Sequence, residues 1–211
     1  MPTFITTAHQ KGGVGKSTIA LNLYGYFARA GVKTAIVDID PQGTISQFEE
    51  LLEPGRLNII RRGDFTTFED LQSKVQGFEV VIVDTPPYLT NELQEVFKIT
   101  NILIIPCKAS VFDALAIRQT IAFVDESKRR LEKNFLAVIV LTMVISGTTI
   151  GEQIRETLKQ YKTPILDTEI GNRIAYAKSL LLTGSVVDDD SGKAKEEIEN
   201  LASEILSLIK K

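Results

Sequence analysis

The sequence predicts an α/β protein built on a mostly parallel, twisted sheet with helices on both faces. Three observations point to it. Short apolar runs alternate with helical patterns along the chain, the signature of parallel strands covered on both sides. The first apolar run feeds straight into Gln10-Lys11-Gly12-Gly13-Val14-Gly15-Lys16-Ser17-Thr18, and a helical pattern opens at once behind it. Two later apolar runs end on carboxylates, in Asp38-Ile39-Asp40-Pro41-Gln42 and in Asp84-Thr85-Pro86-Pro87.

Taken in order, residues 3–8 read as the first strand. Residues 16–30 read as a helix with Ile19, Ala20, Leu23, Tyr24 and Phe27 on its apolar face, stopped by Gly31. Val32 to Ile39 is a β-branched run and the second strand. Residues 44–52 predict a short helix broken by Pro54-Gly55, and the stretch from Arg56 to Thr67 carries no clear period. Residues 68–76 predict a helix, Val80 to Val83 a buried strand, and residues 90–98 a helix. Ile102 to Ile105 is a strand stopped by Pro106. Phe112, Leu115, Ala116, Ile121, Val124 and Leu131 mark a long helix over 111–131. Leu136 to Leu141 predicts a strand, Ile150 to Leu158 a helix, and Pro164 to Leu166 a short last strand. Ile198, Leu201, Ile205, Leu208 and Ile209 give residues 193–209 an amphipathic helix, followed by Lys210-Lys211. There is no internal repeat or linker, so residues 1–211 are expected to form one domain.

Composition narrows the function. With 44% hydrophobic and 24% charged residues the chain is ordinary for a globular protein. A net charge of −3 does not mark a nucleic-acid partner, so any basic surface has to be local or created by assembly. The single cysteine, Cys107, forbids an internal disulfide, and one cysteine with one histidine, His9, cannot build a usual zinc site or ligate an iron–sulfur cluster within one chain. No apolar run approaches the roughly 20 residues that span a bilayer. Phe4-Ile5 is too short for a signal peptide. The expected location is cytoplasmic.

The glycine stretch has its own chemistry. Strand, glycine loop and helix together make a phosphate cradle. Glycines let the backbone turn tightly and aim N–H groups inward, and the helix N-terminus adds partial positive charge there. Lys16 can reach β- and γ-phosphates, and the Ser17 hydroxyl can bind Mg²⁺. A carboxylate just past a strand end, as at Asp40, can orient or deprotonate an attacking water. Asp84, after four apolar residues, is placed to act on Mg²⁺ directly or through water. No Asn-Lys-x-Asp sequence is present, which argues against guanine.

In the common loop G-x-x-x-x-G-K-[ST] the first position is glycine. Here it is Gln10, and Lys11 precedes the glycine pair, giving K-G-G-x-G-K-[ST]. This deviant Walker A form resembles the loop of ParA/MinD-type ATPases. Asp38-x-Asp40-Pro41-Gln42 and Asp84-Thr85-Pro86-Pro87 match that family's second and third motifs, and His9 stands where asparagine is common. The C-terminal third, with Arg173, Tyr176, Gly184, Val186, Ala194, Glu197, Leu201 and Glu204, is similar to short ParA partition proteins without an N-terminal helix-turn-helix extension. The resemblance implies a P-loop NTPase fold, ATP and Mg²⁺ as ligands, and slow ATP hydrolysis. Lys11, Lys16 and Asp40 would be catalytic, with Lys11 reaching across a dimer to the other subunit's nucleotide. Lys11 to Thr18, that is Lys11, Gly12, Gly13, Val14, Gly15, Lys16, Ser17 and Thr18, would bind nucleotide, with Thr142 and Met143 at the adenine. Ser17, Asp38 and Asp84 would serve the metal. It further implies an ATP-bridged homodimer that binds DNA non-specifically and associates with the nucleoid, through Arg173, Lys178, Lys193 and Lys195. Release would follow hydrolysis stimulated by a centromere-binding ParB-type protein. The alternatives are a MinD-like membrane-associated ATPase, for which the last helix would have to be a lipid anchor rather than a core helix, and a relative that positions a protein cargo.

Overall fold

Seven apolar strands pair side by side in one sheet: β1 (Thr3–Thr7), β2 (Thr34–Asp38), β3 (Ile59–Arg61), β4 (Val80–Asp84), β5 (Ile102–Lys108), β6 (Leu136–Val144) and β7 (Ile165–Gly171). Their spatial order is β3-β2-β4-β1-β5-β6-β7, and every pairing is parallel. The computed structural model describes residues 1–52, 55–182, 184–188 and 192–209, so Pro54, Lys210 and Lys211 lie outside the described residues.

The two-residue alternation of the strands divides the core. Phe4, Val81, Val83, Leu103 and Ile139 face one side, where α3 (Phe68–Lys74), α4 (Asn91–Ile99), α5 (Val111–Leu131) and α6 (Ile150–Leu158) pack. Ile5, Ile36, Ile82, Ile104 and Val138 face the other, under α1 (Lys16–Arg29), α2 (Thr44–Glu49), α7 (Ile174–Leu182) and α8 (Lys193–Ile209). Both faces being buried is what makes these strands continuous apolar runs. On α8, Ile198, Leu201, Ala202 and Ile205 are buried against α1 and β7, so its apolar stripe is core rather than a free lipid-facing surface. Among the described residues no helix is long and apolar enough to cross a membrane.

Three features differ from the sequence expectation. β3 forms inside the stretch from Arg56 to Thr67; it is only three half-buried residues, too short to show a period. The last strand runs to Gly171 rather than Leu166, with register shifts against β6 that interrupt its pattern. α7 appears in a segment rich in apolar residues on all sides, which hides a helical stripe. The direction in which successive strands are added to the sheet reverses around β1, flanked by β4 and β5, and a crevice outside the carboxyl end of β1 is where such sheets hold ligands.

Candidate functional site

Strand register builds the floor of the site. Asp84 pairs with Thr7 of β1 on one side and with Asp38 of β2 on the other, so all three stand at one level at the carboxyl ends. The glycine loop leaves β1 there and turns back into α1, bringing Ser17 over Asp84: the Ser17 hydroxyl donates to Asp84 Oδ2 at 2.6 Å. Thr7 donates to Oδ1 at 3.1 Å. Asp84 is fully buried, and burial pushes its carboxyl up to about 7. The Ser17 bond opposes that rise, neighbouring Asp38 adds to it, and Thr7 and Lys16 oppose it. A dry carboxylate under a serine hydroxyl is an oxygen donor set that suits Mg²⁺ when phosphate and water complete the shell. Among the described residues no group of three or more His, Cys, Asp or Glu could hold a metal unaided, so a cation here depends on such added oxygens.

The loop above is shaped by Gly13 and Gly15, at φ 72° and 96°, a left-handed backbone that other residues adopt at a cost. α3, α4 and α5 each begin with a Thr or Ser side chain capping a backbone N–H, whereas α1, like α2 and α6, has no side-chain cap, and its N-cap residue is Gly15. Its first N–H groups are left for a ligand, at the positive end of the helix dipole. Lys16 is 7% exposed, and its Nζ donates to the Lys11 carbonyl at 3.2 Å. Burial lowers its pKa, and Asp84 and Asp40 work against that. The Thr142 hydroxyl reaches across from β6 to the Val14 carbonyl at 2.9 Å.

Asp38 and Asp40 occupy unlike positions. Asp38 is buried, with both oxygens engaged: Oδ1 accepts the Asp40 amide at 3.1 Å, and Oδ2 accepts the Ser46 amide at 2.9 Å and hydroxyl at 2.7 Å. These bonds hold the turn after β2 and the start of α2, and they engage both carboxylate oxygens. Asp40 is half-buried on that turn; its Oδ1 accepts the Gln42 amide at 2.9 Å, and its charge is felt at Lys16.

The limb of the loop before the glycines lies on α5. Gln10 Nε2 donates to the Ala116 carbonyl at 2.7 Å, the Gln10 amide to Thr120 Oγ1 at 3.3 Å, and Lys11 Nζ to Asp113 Oδ1 at 3.1 Å. His9 is buried; its Nδ1 accepts the Lys11 amide at 2.9 Å, while Nε2 has no hydrogen-bond partner among the described residues. Burial, chiefly, and the nearby Lys16 hold His9 down to about 4, so the ring is neutral. Cys107 is buried and its thiol is pushed up to about 12, which leaves it inert.

Beside Gly15 opens a cavity of about 230 Å³, lined by Thr18, Thr142, Met143, Asn172, Arg173 and Tyr176 among others. Met143 lines it with φ 53°, a left-handed conformation that costs an unbranched residue about 1–2 kcal/mol. Arg173, expected with the DNA contacts, lines this cavity and is held by Glu197, at 2.7 Å from Nε and 2.6 Å from Nη2. Its charge is therefore neutralised locally, and it is not part of a free basic surface. Glu197 also accepts from Tyr176 at 2.8 Å. Lys178 and Lys193 are exposed and Lys195 half-buried. The sequence did not single out Asp113, Thr7 or Ser46, and it named Glu197 only within the C-terminal resemblance, not as a partner of Arg173; each acts on a motif residue through a contact between distant segments or through a hydroxyl without a local signature. A larger cavity of 620 Å³ lies at the opposite, amino edge of β1 and β4 by Met1, Phe4 and Glu79, away from every motif residue.

The CobQ/CobB/MinD/ParA nucleotide binding domain family matches residues 5–183 of the chain. The chain is 24% identical over 208 residues to maintenance of carboxysome distribution protein A of Halothiobacillus neapolitanus, covering 96% of this chain and 95% of that protein. It is 25% identical over 190 residues to the chromosome-partitioning ATPase Soj of Thermus thermophilus, covering 74% and 76%. Its fold superposes with a TM-score of 0.77 on a plasmid partition protein of Borrelia burgdorferi bound to AMPPNP, at 20% identity over 98% of this chain and 99% of that one.

Proposed function

The chain belongs to the CobQ/CobB/MinD/ParA nucleotide-binding family, and we propose that residues 1–211 form one ParA-type domain that hydrolyses ATP and uses it to assemble on DNA. The observation that carries this reading is the separation of the two loop lysines. Lys16 is buried beside Ser17 and Asp84, while the Lys11 side chain stays 40% exposed at the outer edge of the loop.

In this reading Lys16 and the uncapped start of α1 hold the β- and γ-phosphates. Bound Mg²⁺ would neutralise phosphate charge there, and Ser17 and Asp84 are the side chains that would hold it. Asp40 orients the attacking water and accepts its proton, and Asp38 fixes the turn that carries Asp40. Thr142 and Met143 meet the adenine in the cavity beside Gly15. Lys11 reaches the nucleotide of a second copy, and the exposed Val111, Phe112 and Leu115 on the first two turns of α5 give that copy apolar surface to bury. Lys178, Lys193 and Lys195 contact DNA phosphates. Hydrolysis stimulated by a ParB-type partner splits the dimer and frees the DNA.

The test is retention on DNA with and without nucleotide. Retention should require ATP and fall steeply between low and moderate salt, as phosphate contacts do. Equal retention of the nucleotide-free protein would remove the mechanism. Asp40→Ala should keep ATP-dependent DNA retention and lose turnover by on the order of a hundredfold; normal turnover would take Asp40 out of the reaction.

The cargo has a second reading, positioning of a protein assembly, supported by the likeness to a carboxysome distribution protein over 96% of the chain. The two separate on which partner raises turnover: a centromere-binding protein, or an adaptor on the assembly.

A further inference from the structure

We propose that Asp113 is a cis anchor for Lys11: it holds the lysine on the protein's own α5, and the dimer forms only when Lys11 leaves it. This rests on the dimer reading above and adds the element that regulates it.

Lys11 Nζ and Asp113 Oδ1 are 3.1 Å apart, with the lysine side chain 40% exposed and the aspartate side chain 11% exposed. The pairing is prepared on both sides. Gln10 is tied to Ala116 and Thr120, one and two turns further along α5, which fixes where the lysine backbone emerges. The Lys11 amide is tied to His9 Nδ1. Asp113 is the third residue of α5: its amide is capped by Ser110 Oγ, and the Ser110 hydroxyl donates to its Oδ2. The helix N-terminus favours negative charge there, and Lys108 lies near enough to favour it as well.

This makes the anchor reversible. When Lys11 leaves, Asp113 keeps Ser110, the helix dipole and Lys108, so its charge is not stranded. Lys11, being half-exposed, moves into solvent or onto a phosphate without crossing a packed core. A lysine held by a carboxylate in cis cannot at the same time neutralise a phosphate in trans. Each copy in a two-fold dimer gives up one such pair. A partly exposed pair of this kind shifts an equilibrium by about threefold, and two of them by on the order of tenfold.

The experiment uses the full chain with Mg²⁺ and AMPPNP. Sedimentation equilibrium reads the dimer dissociation constant of wild type, Asp113→Asn and Ser110→Ala. Asp113→Asn should tighten the dimer by on the order of tenfold while monomer affinity for nucleotide changes less than about twofold. Ser110→Ala removes a helix cap but leaves the carboxylate, so it should lower the melting temperature without tightening the dimer. In parallel, amine acylation followed by mass spectrometry reads Lys11 in the nucleotide-free protein, where Asp113→Asn should raise its labelling over that of Lys178. Unchanged Lys11 labelling, or a dimer no tighter in Asp113→Asn than in wild type, overturns the anchor. A wild-type protein that stays monomeric with AMPPNP overturns the dimer reading and the gating with it; the labelling then still decides whether Asp113 holds the lysine.

Discussion

The two limbs of the glycine loop are held by different parts of the molecule. Before the glycines, Gln10 and Lys11 bond to α5, through Ala116, Thr120 and Asp113. After them, Lys16 and Ser17 enter α1 and close over Asp84, and Thr142 of β6 holds the Val14 carbonyl from the side. The first limb is partly exposed and ion-paired; in the second Lys16 is buried and a half-buried Ser17 closes over the dry Asp84. Coulombic interactions inside a dry site are worth several times those at a surface. The second limb is thus suited to binding a phosphate tightly, and the first to a contact that can be made and broken.

The lysines test this difference most directly. Lys16→Ala should weaken nucleotide binding at least a hundredfold, about 3 kcal/mol, because it removes the one buried cation beside Ser17 and Asp84. Lys11→Ala should leave monomer affinity within about threefold and abolish nucleotide-dependent dimers. Calorimetry of nucleotide binding and sedimentation on the same samples read both. If Lys11→Ala loses nucleotide as fully as Lys16→Ala, the limbs do not have separate duties.

The titrating groups of the two limbs push stability in opposite directions with pH. Asp84 is raised from 3.8 to about 7, so between those values the folded protein holds a proton that the unfolded chain has lost. Its contribution therefore falls as pH rises through that window. His9 is lowered from 6.5 to about 4, so in its window the unfolded chain holds the extra proton, and stability falls as pH drops. In the metal-free protein the two slopes offset each other between about pH 4 and 6.5. His9→Asn should expose the Asp84 slope, with stability falling from pH 4 to 7 by on the order of a few kcal/mol. Asp84→Asn should expose the opposite slope. Denaturant melts at several pH values read both, and a wild-type slope unchanged by either substitution would show that neither group titrates as its burial demands.

Much of the second limb was legible in the sequence, and little of the first. Gly13, Gly15, Lys16 and Ser17 are adjacent, and their chemistry follows from their spacing. Asp38 and Asp84 announce themselves as acids that end apolar runs, and strand register then brings them together. What they do to one another was hidden. Asp38 is engaged on both oxygens by the Ser46 hydroxyl and amide and by the Asp40 amide, groups with no pattern of their own. Lys11 carried a signal, but its partner Asp113 is 102 positions away on another helix. Arg173 read as part of a basic surface because local charge counts do not see Glu197, which reaches it across a turn and a helix. The alternation of strands and helices made the fold legible; β3 and α7 escaped because one is too short for a period and the other has no polar face.

The smallest effect expected concerns how the second limb is steadied from the side. Thr142 is 2% exposed, and its hydroxyl bonds the carbonyl of Val14, itself 1% exposed. Thr142→Val keeps the shape and removes only that donor, leaving a buried carbonyl unpaired. The cost should be about 1–2 kcal/mol, or on the order of 2–8 °C in melting temperature for a chain of this size. Nucleotide affinity should change by only a few-fold, since the loop N–H groups that meet phosphate lie on the opposite side of the same peptide planes and Lys16 is untouched. A hundredfold loss of affinity instead would mean that the cradle keeps its shape only while Thr142 holds it, and the dry limb would then be as dependent on a distant contact as the exposed one is on α5.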